Sequence, residues 1–395
     1  MGSSRRPLAV VAALAALVLA SPAAEAASPR SLARIVAASG LAGSSSVSVV
    51  RLDGTAVFEW KGAQPRVPAS NEKLVTAVAA LTQLGAARRL HTAVAAVGEP
   101  SATGVIHGAL YLVGGGDPTF TGADIRRLVR GIRAAGIRRV TGGVVGDETA
   151  WDARRDAPGW KAGFLGDECP PLSALTYARN RAGRSSTRAA AALLRTLRRA
   201  GVSVAGTARS GRAPAGAGLI ALDASPRVAS LLRAMGKDSD NFTAEMLLKA
   251  VGASAYGRGT TAGGARRARQ ALRALGLSLT GARVVDGSGL SSSDRTTTGI
   301  LARLLAAASR NPAIASPLRT SLSIAGRDGT LKHRMTTGPA HNVVQAKTGT
   351  LNISSALSGY AGPYAFSIIV NGRAVNQTAA HALQDRIAQY LAREA

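Results

Sequence analysis

The sequence predicts an α+β protein in which an antiparallel sheet is assembled from both ends of the chain and a smaller α/β unit is inserted between them. Three observations carry this expectation. Residues 46–60 alternate Val47, Val49, Leu52 and Val57 around Asp53-Gly54, which is a hairpin signature. Strand-like stretches recur at 343–350, 354–359 and 364–370 and run into a helical stretch at 378–393. Between these ends, residues 92–182 carry their own strand, helix and strand pattern at 108–113, 122–135 and 137–145.

The chain begins with Arg5 and Arg6, an apolar run over 7–20, and the small-residue site Ala24-Glu25-Ala26, the pattern of an export signal spanning 1–26. The run is too short to cross a bilayer comfortably, so no stable membrane span is expected after processing, and the mature product is expected to be periplasmic, extracellular or cell-wall associated. The remainder is assigned as a discontinuous main domain, 27–91 and 183–395, with 92–182 as the insertion. In the C-terminal helical stretch, Leu383, Ile387, Tyr390 and Leu391 form one apolar stripe, read as core packing.

The 395 residues carry a formal charge of +27, 46% hydrophobic and 4% aromatic residues, and one cysteine, Cys169. That length supports a full core, and a single cysteine excludes both an internal disulfide and a cysteine-rich metal site. The charge invites a nucleic-acid reading, but the arginines are scattered and aromatics are scarce, so an anionic cell envelope is the better-fitting partner. There is no Gly-x-Ser-x-Gly elbow and no His-Glu-x-x-His, and His91, His107, His333, His341 and His381 are dispersed without ligand spacing. No metal or cofactor is expected.

Only seven of the 49 basic residues are lysines. Arginine keeps its proton in a protein, whereas a buried lysine can lose it, so each lysine is a candidate for chemistry. Among the seven, only Lys73 has a serine three residues earlier, in Ser70-Asn71-Glu72-Lys73 ahead of an apolar helical stretch. That spacing puts the Ser70 hydroxyl and the Lys73 amine on one helix face, where a neutral amine activates the hydroxyl as a nucleophile. A helix N-cap serine is the plainer alternative. Lys347 lies in Gln345-Ala346-Lys347-Thr348-Gly349-Thr350, a strand whose cation and hydroxyls suit a carboxylate ligand, with an edge strand protected by a lysine as the alternative. Between them, Ser239-Asp240-Asn241 sits in a loop joining helical stretches at 228–235 and 242–251. Ser309-Arg310-Asn311 repeats the pattern but ends a helix.

In this order the three motifs resemble the serine penicillin-recognising enzymes. The stretches Leu110 to Pro118, Gly146-Asp147-Glu148, Pro158-Gly159-Trp160, Ser173-Ala174-Leu175, Asp286 to Leu290 and Asp328-Gly329-Thr330-Leu331 narrow the resemblance to the D-alanyl-D-alanine carboxypeptidase/endopeptidase family S13, the class C low-molecular-mass penicillin-binding proteins. The resemblance implies a β-lactamase/transpeptidase-like main domain, peptidoglycan stem peptides as substrates and β-lactams as acylating agents. It implies Ser70 as nucleophile and Lys73 as base, its proton loosened by burial and by the field of Lys347. Ser239 is then the proton relay, Asn241 holds the substrate amide, and Lys347, Thr348, Gly349 and Thr350 form the carboxylate-binding strand. The backbone N–H groups of Ser70 and Thr350 make the oxyanion hole. Asp147, with Trp151, is expected to meet the peptide side chain from the insertion. Two departures stand out. The nested third domain of many resembling proteins is missing after Asn180, and Ser292 stands where an arginine is common, with Arg295 as its possible substitute. A serine β-lactamase and a non-catalytic envelope-binding protein on the same scaffold are the rival readings.

Overall fold

A computed structural model describes Gly2, residues 27–181, Gly183 and residues 185–395. The expected export signal at 1–26 lies, apart from Gly2, outside the described residues. The main sheet has six strands in the order Ser323–Ile324, Gln345–Leu351, Ser354–Ala361, Tyr364–Asn371, Ser45–Arg51, Ala56–Trp60, each antiparallel to its neighbours. The N-terminal hairpin joins the sheet through the last strand, with Val47 opposite Ile368 and Val49 opposite Phe366.

Period-two alternation sends side chains to two separate cores. Val47, Val49, Phe366 and Ile368 face the Pro29–Ala37 and Gln377–Arg393 helices, where Leu32, Val36, Leu383, Ile387 and Leu391 are buried. The expected apolar stripe is thus core, and Tyr390 adds a bond by accepting from Ser28 N–H at 2.7 Å. On the opposite face Val50, Ala356, Tyr360, Ala365 and Ile369 pack with the Glu72–Gln83, Asn241–Tyr256 and Thr298–Ser309 helices. This second layer carries Lys73.

The insertion is larger than expected. Its five-stranded mixed sheet runs Ala217–Arg227, Arg89–Val97, Leu110–Gly114, Val144–Asp147, Ala208–Ser210, beside three short parallel strands. Three of these strands and the Ser185–Arg199 helix lie beyond residue 182, so the 92–182 boundary is corrected to the segment between Arg89 and Arg227. The reason is a shared core. Leu193, Leu197, Val202, Val204 and Ala221 bury against Leu110, Leu112, Ile125 and Leu128, and burial of an aliphatic side chain contributes about 1.5–3 kcal/mol. The chain passes from Asn180 almost directly into the Ser185–Arg199 helix, leaving no room for a nested third domain.

Candidate active site

Ser70 sits in a short 3₁₀ turn, Ala69–Asn71, that leads directly into the Glu72–Gln83 helix. Ala69 adopts φ +47°, a left-handed conformation that non-glycine residues seldom take and that clusters at functional sites. One turn on, Lys73 is 1% exposed and its Nζ lies 2.8 Å from Ser70 Oγ. Nζ also donates to Asn241 Oδ1 and to the Ser288 carbonyl, both at 2.7 Å.

Asn241 opens the Asn241–Tyr256 helix, whose cap is Asp240. Asp240 accepts from Phe242 N–H and Thr243 Oγ1 and takes a two-point ion pair from Arg179 at 2.8 and 2.6 Å. With Asp240 serving as the cap, the Ser239 hydroxyl is released from that duty. Ser239 itself has φ +56°, and Lys347 Nζ donates to its Oγ at 2.9 Å. Lys347 is buried and also donates to the Thr348 carbonyl at 2.8 Å.

The strand Gln345–Leu351 approaches Ser70 closely. A Cβ at Gly349 would lie 3.0 Å from the Pro68 carbonyl oxygen and 3.1 Å from Ser70 N, a tight approach that favours glycine here. Asn71 Nδ2 ties the two elements by donating to the Lys347 carbonyl at 3.0 Å. The opening between them is a cleft of about 510 Å³ lined by Ser70, Ser239, Asn241, Thr348, Gly349 and Thr350, with Lys73 and Lys347 behind the wall. Lys161, Phe164, Glu168, Ser292 and Thr330 line it too. Thr330 accepts from Thr348 Oγ1 at 2.7 Å, and Glu168 accepts, through its carbonyl, from Asn241 Nδ2 at 3.1 Å.

Burial moves the lysine protons. Lys73 is lowered to about 8, chiefly by desolvation, against the opposing pull of Asp286 and Glu245. Lys347 is lowered well below the ordinary range, again by desolvation first and then by repulsion from Lys73. The repulsion between the two cations weighs on Lys347, while at Lys73 burial outweighs the attraction of the nearby acidic groups. Of the two causes expected to loosen the Lys73 proton, burial is the leading one and the field of Lys347 is not among the main ones.

A buried group of carboxyls under Lys73 went unread in the sequence. Glu72, Glu245, Asp286 and Asp294 are each at most 1% exposed. Asp286 accepts from the amides of Gly289 and Ser291 and from Trp160 Nε1 at 2.7–2.8 Å. Glu72 and Asp294 are pushed well up by burial, followed by the charge of Asp286. The available signal was composition: Glu245 and Lys249 interrupt a helix whose residues from Phe242 to Gly252 are all buried.

Two expected contributions from outside the main domain are not brought to the cleft. Asp147 is buried and its carboxylate is spent within the insertion, accepting from Thr149 N–H and Oγ1 and from Ala213 N–H at 2.7–2.8 Å. Trp151 packs on Gly116 and Gly259 in the core, 4% exposed. Arg295 fails as a substitute at position 292, because its guanidinium donates to the carbonyls of Ser292 and Asp294 in its own loop.

The profile of the D-Ala-D-Ala carboxypeptidase 3 (S13) family matches residues 30–192 and 169–394, nearly the whole described chain. The chain belongs to the S13 family. It is a serine-type DD-peptidase. Among characterised proteins it is 31% identical over 432 residues to the D-alanyl-D-alanine carboxypeptidase of Actinomadura sp. (strain R39), covering 86% of this chain and 79% of that one. It is 32% identical over 335 residues to carboxypeptidase DacB of Mycolicibacterium smegmatis, covering 78% of this chain and 70% of that one. Among solved structures, penicillin binding protein 4 of Haemophilus influenzae has the same fold, with a TM-score of 0.79 at 21% identity over 91% of this S13 chain and 99% of that one. Its complex with a novel β-lactam aligns with a TM-score of 0.72 at the same identity, covering 90% of this chain and 98% of that one.

Proposed function

We propose that the chain removes the terminal D-alanine from peptidoglycan stem peptides, or cuts D-amino-acid cross-links between them, through an acyl-enzyme on Ser70. The observation that carries this is the 2.8 Å approach of Lys73 Nζ to Ser70 Oγ at the floor of a cleft shared with Ser239 and the Lys347 strand. With its proton held only to about pH 8, Lys73 acts as the base near neutrality. It takes the Ser70 proton as Oγ attacks the carbonyl carbon of the penultimate D-alanine.

The oxyanion that forms lies between the backbone N–H groups of Ser70 and Thr350, and each such donor is worth about 3 kcal/mol in transition-state stabilisation. The closeness of Gly349 to Ser70 N supports this pairing. Asn241 holds the substrate amide. The leaving D-alanine places its carboxylate against the hydroxyls of Thr348 and Thr350 and the charge of Lys347. Ser239, in contact with Lys347 Nζ, passes a proton to the departing amine, and water then hydrolyses the ester.

The same geometry accepts a β-lactam, whose strained amide takes the place of the peptide bond. That H. influenzae penicillin binding protein 4 has been seen with a β-lactam supports this reading. Residues 1–26 direct export, and the positive charge favours an anionic envelope around the substrate. A labelled penicillin tests the assignment directly: Ser70→Ala should take up no covalent label and release no D-alanine from a stem pentapeptide. Retained labelling would remove Ser70 from its role.

A further inference from the structure

Three acceptors surround the amine of Lys73, and only one belongs to the nucleophile. Asn241 Oδ1 and the Ser288 carbonyl, each at 2.7 Å, cannot donate, so each engages one N–H of a neutral amine. With both hydrogens so engaged, the remaining tetrahedral direction, the lone pair, faces Ser70 Oγ at 2.8 Å. The amide of Asn241 is kept from turning over because its Nδ2 donates to the Glu168 carbonyl at 3.1 Å.

The Ser288 carbonyl needs a restraint of its own, since it belongs to an irregular loop. Glu245 supplies one. Its Oε1 accepts from Gly287 N–H at 3.0 Å and from Ser288 N–H at 2.8 Å. Glu245 lies one turn beyond Asn241 on the same helix, so a single rigid element fixes both non-nucleophilic acceptors of the amine. The side chain is fully buried, and among the described residues Oε2 has no partner. Burial, followed by the charge of Asp286, raises Glu245 to about 8. Near neutral pH it is therefore mostly an acid that accepts through Oε1 and adds little counter-charge beneath the base.

We propose that Glu245 is a positioning residue for acylation: by bridging the amides of Gly287 and Ser288 it holds the Ser288 carbonyl on Lys73 Nζ and leaves the amine's lone pair facing Ser70. The inference rests on the reading of Lys73 as the base. Its test separates binding from chemistry in the full chain, using a fluorescent penicillin to obtain the non-covalent dissociation constant K and the acylation rate k2. Glu245→Gln keeps an uncharged acceptor and should hold k2 within about threefold of the parent, whereas Glu245→Leu should lower k2 by about 10²-fold with K unchanged.

Glu245→Asp draws the acceptor back by one methylene and should lose about tenfold in k2, which keeps the test open if the leucine variant does not fold. Parental k2 in the aspartate or leucine variant would overturn the proposal. So would a glutamine variant as slow as the leucine one, or a parallel change in K and k2. Ser70→Ala distinguishes the two levels: if it still labels, the nucleophile reading fails, whereas loss of label there beside parental k2 at Glu245→Asp sinks only the positioning role.

Discussion

Lys73 and Lys249 lie on adjacent packed helices and are equally withdrawn from water, 1% and 0% exposed. Burial loosens the proton on both. Their nearest neighbours differ in one respect. Lys249 Nζ is 2.6 Å from a carboxylate oxygen of Asp152, with the Arg154 carbonyl at 2.8 Å and the Trp151 ring at 6.0 Å. Lys73 touches a hydroxyl, an amide oxygen and a peptide carbonyl, and its carboxylates stand one layer further out. A direct carboxylate fixes the ammonium form and makes a staple between the insertion and the main domain. Neutral acceptors orient the amine without binding its proton, the arrangement that the proposed base requires.

The largest expected effect comes from Lys73→Arg. Guanidinium keeps its proton, so acylation by a labelled penicillin should fall by about 10³-fold or more while the fold persists. In the parent the same measurement should rise with pH through about 8, because the neutral amine is the reactive form and exists above that value. A flat profile from pH 6 to about 9.5 would erase the difference between the two lysines.

Lys249→Met should act on stability alone. It leaves Asp152 without its partner, but that carboxylate is 25% exposed and water replaces part of the loss. The expected cost is therefore about 1–3 kcal/mol, below that of a fully buried broken pair, read from denaturant unfolding with acylation unchanged. An acylation defect exceeding the loss of folded protein would show that the staple also sets the site. The smallest effect is expected at Asp147→Asn, which weakens the bonds to Thr149 and Ala213 by about 1 kcal/mol and leaves D-alanine release at the parental rate. A change in substrate preference there would restore Asp147 to the cleft.

What could be read from the sequence was what is local. Ser70 and Lys73 are one helical turn apart, Ser239 and Asn241 two residues apart, and Lys347 to Thr350 contiguous, so each fragment shows its chemistry within a few positions. Hairpin and strand alternation were legible for the same reason, and the strands pair as that pattern requires. Asp147 misled because an acidic residue at a strand end satisfies a turn as readily as it meets a ligand, and only the location of Ala213 decides between them. The boundary at 182 failed because pairing of Ala217–Arg227 with Arg89–Val97 is a long-range event invisible in either segment. Glu245 escaped notice because its partners, Gly287 and Ser288, lie far along the chain and offer backbone rather than side chain.

The hairpin at the start of the main domain is completed only by the last strand, and the glycine that faces Ser70 N arrives close to the end. A polypeptide released before residue 345 would hold Ser70 and Lys73 but lack the strand that the proposed oxyanion site needs. On the proposed function, a penicillin label would report a finished chain, and fragments ending before residue 345 should take up none.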